Sequence, residues 1–363
     1  MGPNRLRFFL LICWTSVILL FIKFNNDSNN INKNNQVKIA FEQQKLSKKI
    51  GRESLFFDQI GEAEENLSKN KRQKQQKHFE IRFENIRLKF RMEFANACPP
   101  KPTLLILSMS RRNSFEKRSS IRRTWMNDAL SGEVIRFLIA DPSPGDGEAE
   151  NVQQNLEDEQ KRHGDLVFLH GFVDTYTNIH FKWYGGLQWQ QSFCAGAQWV
   201  MKADDDSIVH LRRLAYWTEK KFRPIVEQNP LVYFGYVYYL KDPIRDANQK
   251  WHVPKAMYPE DNYPNFMQGT VYLTTPATVT AILSHSHEIV GFYLDDVVFT
   301  GILAKLANVT LSDQKWHFIF GTSFNEENSG CIDEMPSAFS MWGANNLADY
   351  ENLYGKLKAL KCK

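Results

Sequence analysis

Residues 198–206 read Gln-Trp-Val-Met-Lys-Ala-Asp-Asp-Asp, an apolar run of strand length (198–202) leading to three consecutive carboxylates. Three adjacent negative charges repel one another unless something positive sits among them. On an extended tip alternate residues point to one side, so Asp204 and Asp206 can share a ligand while Asp205 turns away. Hard oxygen ligands suit Mn²⁺ or Mg²⁺, which can bridge protein carboxylates to an anionic diphosphate. A solvated acidic turn, or a helix N-cap at Asp206 ahead of Ser207-Ile-Val-His-Leu211, is the competing reading of the same residues.

Outward from this tip the chain alternates two periods. Leu104–Ser110 (LLILSMS), Val134–Ala140 (VIRFLIA) and Asp165–His170 (DLVFLH) have the length and composition of strands. Helical stretches at Glu116–Trp125, Asn151–Arg162 and His180–Cys194 separate them. Strands alternating with helices predict an α/β fold with a mainly parallel central sheet. Ligands of such sheets bind beyond the carboxyl ends of the strands, where the three aspartates fall. Residues 77–94 mix aromatic and charged positions in a pattern that fits either a helix or a strand leading into the domain.

The amino terminus has a different texture. Residues 8–22 (FFLLICWTSVILLFI) carry no charge and follow Arg5 and Arg7. As a helix they span about 22 Å, short for an average bilayer but suited to a thin early-secretory one. No small-residue cleavage site follows, so an uncleaved signal anchor is expected at 8–22, with 1–7 as a cytoplasmic tail. Residues 23–97, rich in Asn, Gln, Lys and Glu, form the expected stem, largely disordered, and 98–363 the lumenal domain. The stem holds the basic excess, 16 Lys/Arg against 10 Asp/Glu, and leaves the domain net acidic. That distribution argues against a nucleic-acid partner. Cys98, Cys194, Cys331 and Cys362 show no CxxC spacing, which speaks against a zinc site. In an oxidising compartment they predict two disulfides, Cys98–Cys194 and Cys331–Cys362 being one of three connectivities. Asn66 and Asn308 head Asn-x-Ser/Thr triplets and are candidates for N-glycosylation.

Six segments then follow in order: Arg118-Ser-Ser-Ile121-Arg122-Arg-Thr124-Trp125; Phe172-Val-Asp174-Thr-Tyr176-Thr-Asn178-Ile-His-Phe-Lys182; Lys202-Ala-Asp204-Asp205-Asp206; Lys250-Trp251; Tyr263-Pro264-Asn265-Phe266 with Gly269 and Tyr272; and Leu294-Asp295-Asp296-Val297. Together they resemble the β-1,3-galactosyltransferase family (glycosyltransferase family 31, β-1,3-hexosyltransferases). The resemblance implies a GT-A-type nucleotide-sugar-binding fold in a catalytic domain at 98–363. It also implies an inverting transfer of a hexose, galactose in the first instance, from a UDP-sugar to a glycan hydroxyl in β-1,3 linkage. The acceptor would sit on a glycoprotein or glycolipid, the enzyme in the Golgi membrane as a single-pass type II protein, and the metal would be Mn²⁺ or Mg²⁺. Donors carrying N-acetylglucosamine or N-acetylgalactosamine are the close alternatives. A catalytically silent lumenal chaperone on the same fold is the alternative from another class.

Carried onto these positions, Asp204 and Asp206 hold the metal and Asp296 is the general base. Arg118, Arg122, Asp174, Asn178, Lys182 and Asp205 bind the UDP-sugar, with Arg118 and Arg122 one helical turn apart and expected to face the nucleotide. Trp251, Tyr263, Phe266, Gly269 and Asp295 fall on the acceptor side. The chain departs from the family's Glu-Asp-Val-x-x-Gly in reading Asp295-Asp296-Val297-Val-Phe-Thr-Gly301, one residue longer. The alternative alignment gives the base role to Asp295. Phe266 replaces a usual Tyr, and Met267 and Gln268 stand where Cys and Ser are common.

Overall fold

A computed structural model of the chain describes residues 77–83, 86–92, 98–143, 149–288, 292–321 and 330–362. The tail, the apolar run 8–22, the stem as far as residue 76, and Asn66 lie outside the described residues. No helix among the described residues is long and apolar enough to cross a membrane.

Apolar runs without alternating polar positions bury both faces of a strand. β3 (Leu104–Met109) is buried at every position, and β6 (Trp199–Asp204) at all but its last. With β4 (Glu133–Asp141) and β5 (Leu166–Val173) they form the parallel order β5-β4-β3-β6. β11 (Val271–Thr274) reverses direction beside β6, then β8 (Val232–Gly235) and β12 (Thr310–Asp313) complete that side. At the other edge lies a hairpin of β1 (Lys77–Phe83) and β2 (Ile86–Met92), with β2 antiparallel to β5. Of the two readings left open for residues 77–94, the strand is correct, and the sheet reaches back into the segment assigned to the stem.

Helices cover both faces. They are α1 (Phe115–Arg123), α2 (Ala149–His163), α3 (Ile179–Phe193), α4 (Leu211–Trp217), α5 (Arg223–Gln228), α6 (Pro276–Ser284), α7 (Leu303–Leu306) and α8 (Leu347–Ala359). Because side chains alternate along β3, Leu105 and Leu107 join one core with Trp183 and Leu187 of α3 and Ile282 of α6. Leu104 and Ile106 join the other, with Ile121 of α1, Leu156 of α2 and Tyr350 of α8. α3 lies close on the sheet because residue 186 is glycine: a β-carbon there would stand 2.4 Å from Leu138 Cδ1.

Smaller strands finish the site. β7 (Ser207–Val209) continues from the aspartate tip. β9 (Val237–Tyr238) pairs with β10 (Phe266–Met267). β13 (Phe318–Phe320), β14 (Cys331–Ile332), β15 (Met335–Pro336) and β16 (Ser340–Trp342) follow, and β16 lies between β13 and β7. Cys98 is bonded to Cys194 and Cys331 to Cys362.

Candidate active site

The register of β3 and β6 sets Met109 beside Asp204, so the loop after β3 and the aspartate tip share the carboxyl edge of the sheet. Asp204 and Asp206 line a cavity of about 1030 Å³, which Asp205 does not reach. β6 ends at Asp204 and β7 begins at Ser207, so it is the turn at Asp205 and Asp206, not strand alternation, that sends Asp205 to a neighbouring cavity only. The tip is held from behind: the Asp206 carbonyl accepts from the amides of Gly343 and Ala344, both at 3.0 Å, and the Tyr350 hydroxyl donates to the Asp205 carbonyl. Asp205 turns its carboxylate to Ser110 Oγ at 3.0 Å and stands 3.6 Å from Lys117 Nζ.

Lys202, fully buried, lies beneath this tip. Its ammonium donates to Asp204 Oδ1 at 2.6 Å and to the Gly269 carbonyl, and stands 3.4 Å from Asp295 Oδ2. Burial alone would pull this lysine down, but Asp204 and Asp295 hold it above its ordinary value. Burial pushes Asp204 up to about 7 against the pull of Lys202, with Asp206 and Asp295 adding repulsion. Asp206 is raised by burial too, and its Oδ1 is buried without a hydrogen-bond partner. An orphaned carboxylate oxygen next to a second crowded carboxylate fits a divalent cation. Among the described residues no group of three or more His, Cys, Asp or Glu is disposed to hold a metal. The protein therefore offers Asp204 and Asp206, leaving further positions to ligand oxygens or water.

Asp295 and Asp296 line the same cavity as Asp204 and Asp206. Asp296 stands at the start of a π-helical turn, Val297–Ile302, where its Oδ1 accepts from the Val297 amide at 2.8 Å. Such wide turns recur at functional sites. Burial, then repulsion from Asp295, pushes Asp296 up to about 7. A half-buried carboxyl titrating near neutrality is suited to accept a proton from a hydroxyl. Gly269 packs directly against Asp296, and Trp251, Tyr263 and Phe266 line the cavity beyond it. Trp251 is 48% exposed, whereas Tyr263 and Phe266 are buried and packed on each other at 5.8 Å. These two shape the wall from within the core rather than offering a free face.

A second cavity, about 780 Å³, adjoins the first through Asp204 and Asp206. Ser110, Arg111, Arg112, Lys117, Asp174 and Lys182 line it. Lys182 donates to Asp174 Oδ1 at 2.5 Å and to the Ser110 carbonyl at 2.8 Å; burial lowers it against the pull of Asp174. Asn178 lies outside both linings and donates to the Val173 carbonyl, bracing the turn before α3.

Arg118 and Arg122 differ from expectation. Neither lines either of these two cavities. Arg118, 0% exposed, pairs with Glu159 of α2 at 2.8 Å and donates to Ser110 Oγ and the Arg111 carbonyl. Arg122 bridges Glu159 and Asp165 at 2.6 and 2.8 Å. Two buried carboxylates, Glu159 and Asp165, draw both guanidiniums inward. Arg118 instead carries the loop that lines the second cavity.

Several lining residues escaped the sequence reading: Arg111, Arg112 and Lys117 on one side, Tyr236, Tyr238 and Trp316 on the other. The loop after β3 was recoverable, since it leaves the carboxyl end of a central strand. The others come from segments that only the fold brings in.

The Galactosyltransferase family model matches residues 116–315, a span that contains the aspartate tip, the Lys250–Gly269 segment and Asp296. The chain belongs to the galactosyltransferase family. It is 32% identical over 211 residues to "Beta-1,3-galactosyltransferase 1" of Mus musculus, covering 56% of this chain and 61% of that relative. It is 30% identical over 244 residues to "Lactosylceramide 1,3-N-acetyl-beta-D-glucosaminyltransferase B" of Danio rerio, covering 65% of this chain and 61% of that one. The chain thus spans about three-fifths of these curated relatives. The solved structure "WbbM bifunctional glycosytransferase apo structure" is similar over 71% of this chain and 50% of its own, at 9% identity and a TM-score of 0.39.

Proposed function

We propose that this family member is an inverting, metal-dependent glycosyltransferase of GT-A type. It moves a hexose, galactose first, from a UDP-sugar to a glycan hydroxyl in β-1,3 linkage. The observation that carries this is the junction at Asp204 and Asp206, which line both a cation-rimmed cavity and the cavity that holds Asp296. UDP occupies the first, against Arg111, Arg112, Lys117 and Lys182. A divalent ion held by Asp204 and Asp206, Mn²⁺ or Mg²⁺, would stabilise charge on the departing diphosphate. Asp296 takes the acceptor proton as the acceptor oxygen bonds to the sugar's anomeric carbon and UDP leaves with the electron pair of the broken bond. Lys202 holds Asp204 and Asp295 in place while this happens. A sugar ring enters against Trp251. The protein acts on glycoprotein or glycolipid glycans from the lumenal face of the Golgi membrane, anchored through residues 8–22.

An N-acetylglucosamine donor is the second reading, favoured by the name of the Danio rerio relative, with N-acetylgalactosamine beside it as the other close alternative. Small contacts separate these sugars. The test is transfer by the full chain with Mn²⁺ from each of the three UDP-sugars, with the anomeric configuration of the product read by NMR. Asp296→Asn is expected to cost about 10²–10⁴-fold in kcat. No consumption of any UDP-sugar, or an Asp296→Asn variant as active as the parent, overturns the proposal.

A further inference from the structure

Two Lys-Trp pairs face the larger cavity. One is Lys250-Trp251; the other, Lys315-Trp316, lies outside every segment that carried the family resemblance. In each, the ammonium stands over its neighbour's indole, at 5.4 and 5.1 Å from the ring centroid. Trp316 sits on the single turn Lys315–His317 and is 57% exposed. The turn itself is rooted: the Gln314 amide donates to the Gly235 carbonyl at 2.7 Å, and the Lys315 amide to Asp313 Oδ1. His317 on the same turn is fully buried, stacked on Phe339 at 5.3 Å and packed against Trp217 at 4.8 Å. The backbone that carries Trp316 is therefore anchored at a cavity wall, and more than half of the residue is open. Indole faces attract the apolar C–H faces of pyranose rings.

The size of the cavity points the same way. At about 1030 Å³ it stands at the top of the range for small-ligand sites, roughly 300–1,000 Å³. Trp251 serves a ring near Asp296 in the reading above, and a second platform on a different element implies a second ring. We infer that Trp316 forms a subsite for the sugar that follows the reacting unit, so that the acceptor is at least a disaccharide. This inference rests on the glycosyl-transfer reading and specifies its substrate class. Lys315 stands over one face of the indole; the other face receives the sugar, with Tyr236, which follows the Gly235 to which the turn is tied, on the same cavity wall.

The experiment compares monosaccharide and disaccharide acceptors that share a terminal unit: methyl β-galactoside with lactose, and methyl β-N-acetylglucosaminide with N,N′-diacetylchitobiose. The full chain is assayed with Mn²⁺ and the three UDP-sugars, with hydrolysis followed in parallel. The parent is expected to prefer a disaccharide in kcat/KM through a lower KM. Trp316→Ala is expected to erase that preference by about tenfold, the effect of one stacking contact, and Trp316→Phe to keep most of it. Trp251→Ala lowers both acceptors alike. A parent that hydrolyses or transfers from a UDP-sugar without preferring either disaccharide overturns the subsite alone. So does a Trp316→Ala variant that loses both acceptors by one factor. A parent that consumes no UDP-sugar overturns the transfer reading, and the subsite with it.

Discussion

Gly269 gives Asp296 its room. A β-carbon at this position would stand 3.0 Å from Asp296 Cβ and 3.1 Å from its Oδ2. Gly269→Ala must therefore displace the carboxylate that the mechanism needs to aim. Misplacement of a reacting group by about 1 Å costs on the order of 10²-fold, and kcat is expected to fall by that much. Binding of UDP with Mn²⁺, measured by calorimetry, should stay near the parent's, since Arg112, Lys117 and Lys182 are untouched. Titration of the same aspartate sets a pH dependence. Asp296 is pushed up to about 7, and the proposed base must act as the carboxylate. Activity should therefore be full above that value and decline as pH falls through it, about tenfold per unit in kcat/KM below it. A profile flat from pH 8 to 5.5 would remove Asp296 from the role of base.

At the level of elements, α1 is where spacing and structure part. Arg118 and Arg122 do share a face, as positions four apart on a helix must. Spacing cannot say what that face meets, and its partner Glu159 lies 41 residues on, in α2. Burial would raise Glu159, but the two guanidiniums hold it below its ordinary value. Arg118→Met leaves this carboxylate with a single partner and frees the Ser110–Arg112 loop. It is expected to lower stability by about 3–5 kcal/mol in urea unfolding, the cost of breaking a buried pair. UDP affinity should weaken as well. A variant with parental stability and lost UDP binding would instead make Arg118 a direct ligand of the nucleotide.

On the scale of the whole molecule, the carboxyl-terminal segment closes the site from behind. Tyr350 of α8 and the amides of Gly343 and Ala344 hold the backbone of Asp205 and Asp206, and the Cys331–Cys362 bond ties the end of that segment back. Replacing both cysteines with serine removes a loop closure of 31 residues. About 3–4 kcal/mol of stability should go with it on the chain-entropy account, read as a lower urea midpoint. Calorimetric affinity for UDP with Mn²⁺ should drop as the tip loosens; an unchanged affinity would show that the tip stands without its clamp. What the chain's letters determined by themselves was the local part. Both-face burial writes itself as unbroken apolar runs, so β3, β4, β5 and β6 could be read directly, and with them the place of the aspartates at the carboxyl end of β6. Tertiary structure alone decided the strand order, the inward turn of Arg118 and Arg122, and the meeting of Asp296 with an aspartate tip some 90 residues earlier. It also decided that Trp316 faces the same cavity. Periodicity records which side of an element is buried, whereas partners distant in sequence are chosen by packing and charge pairing, which leave no spacing to read.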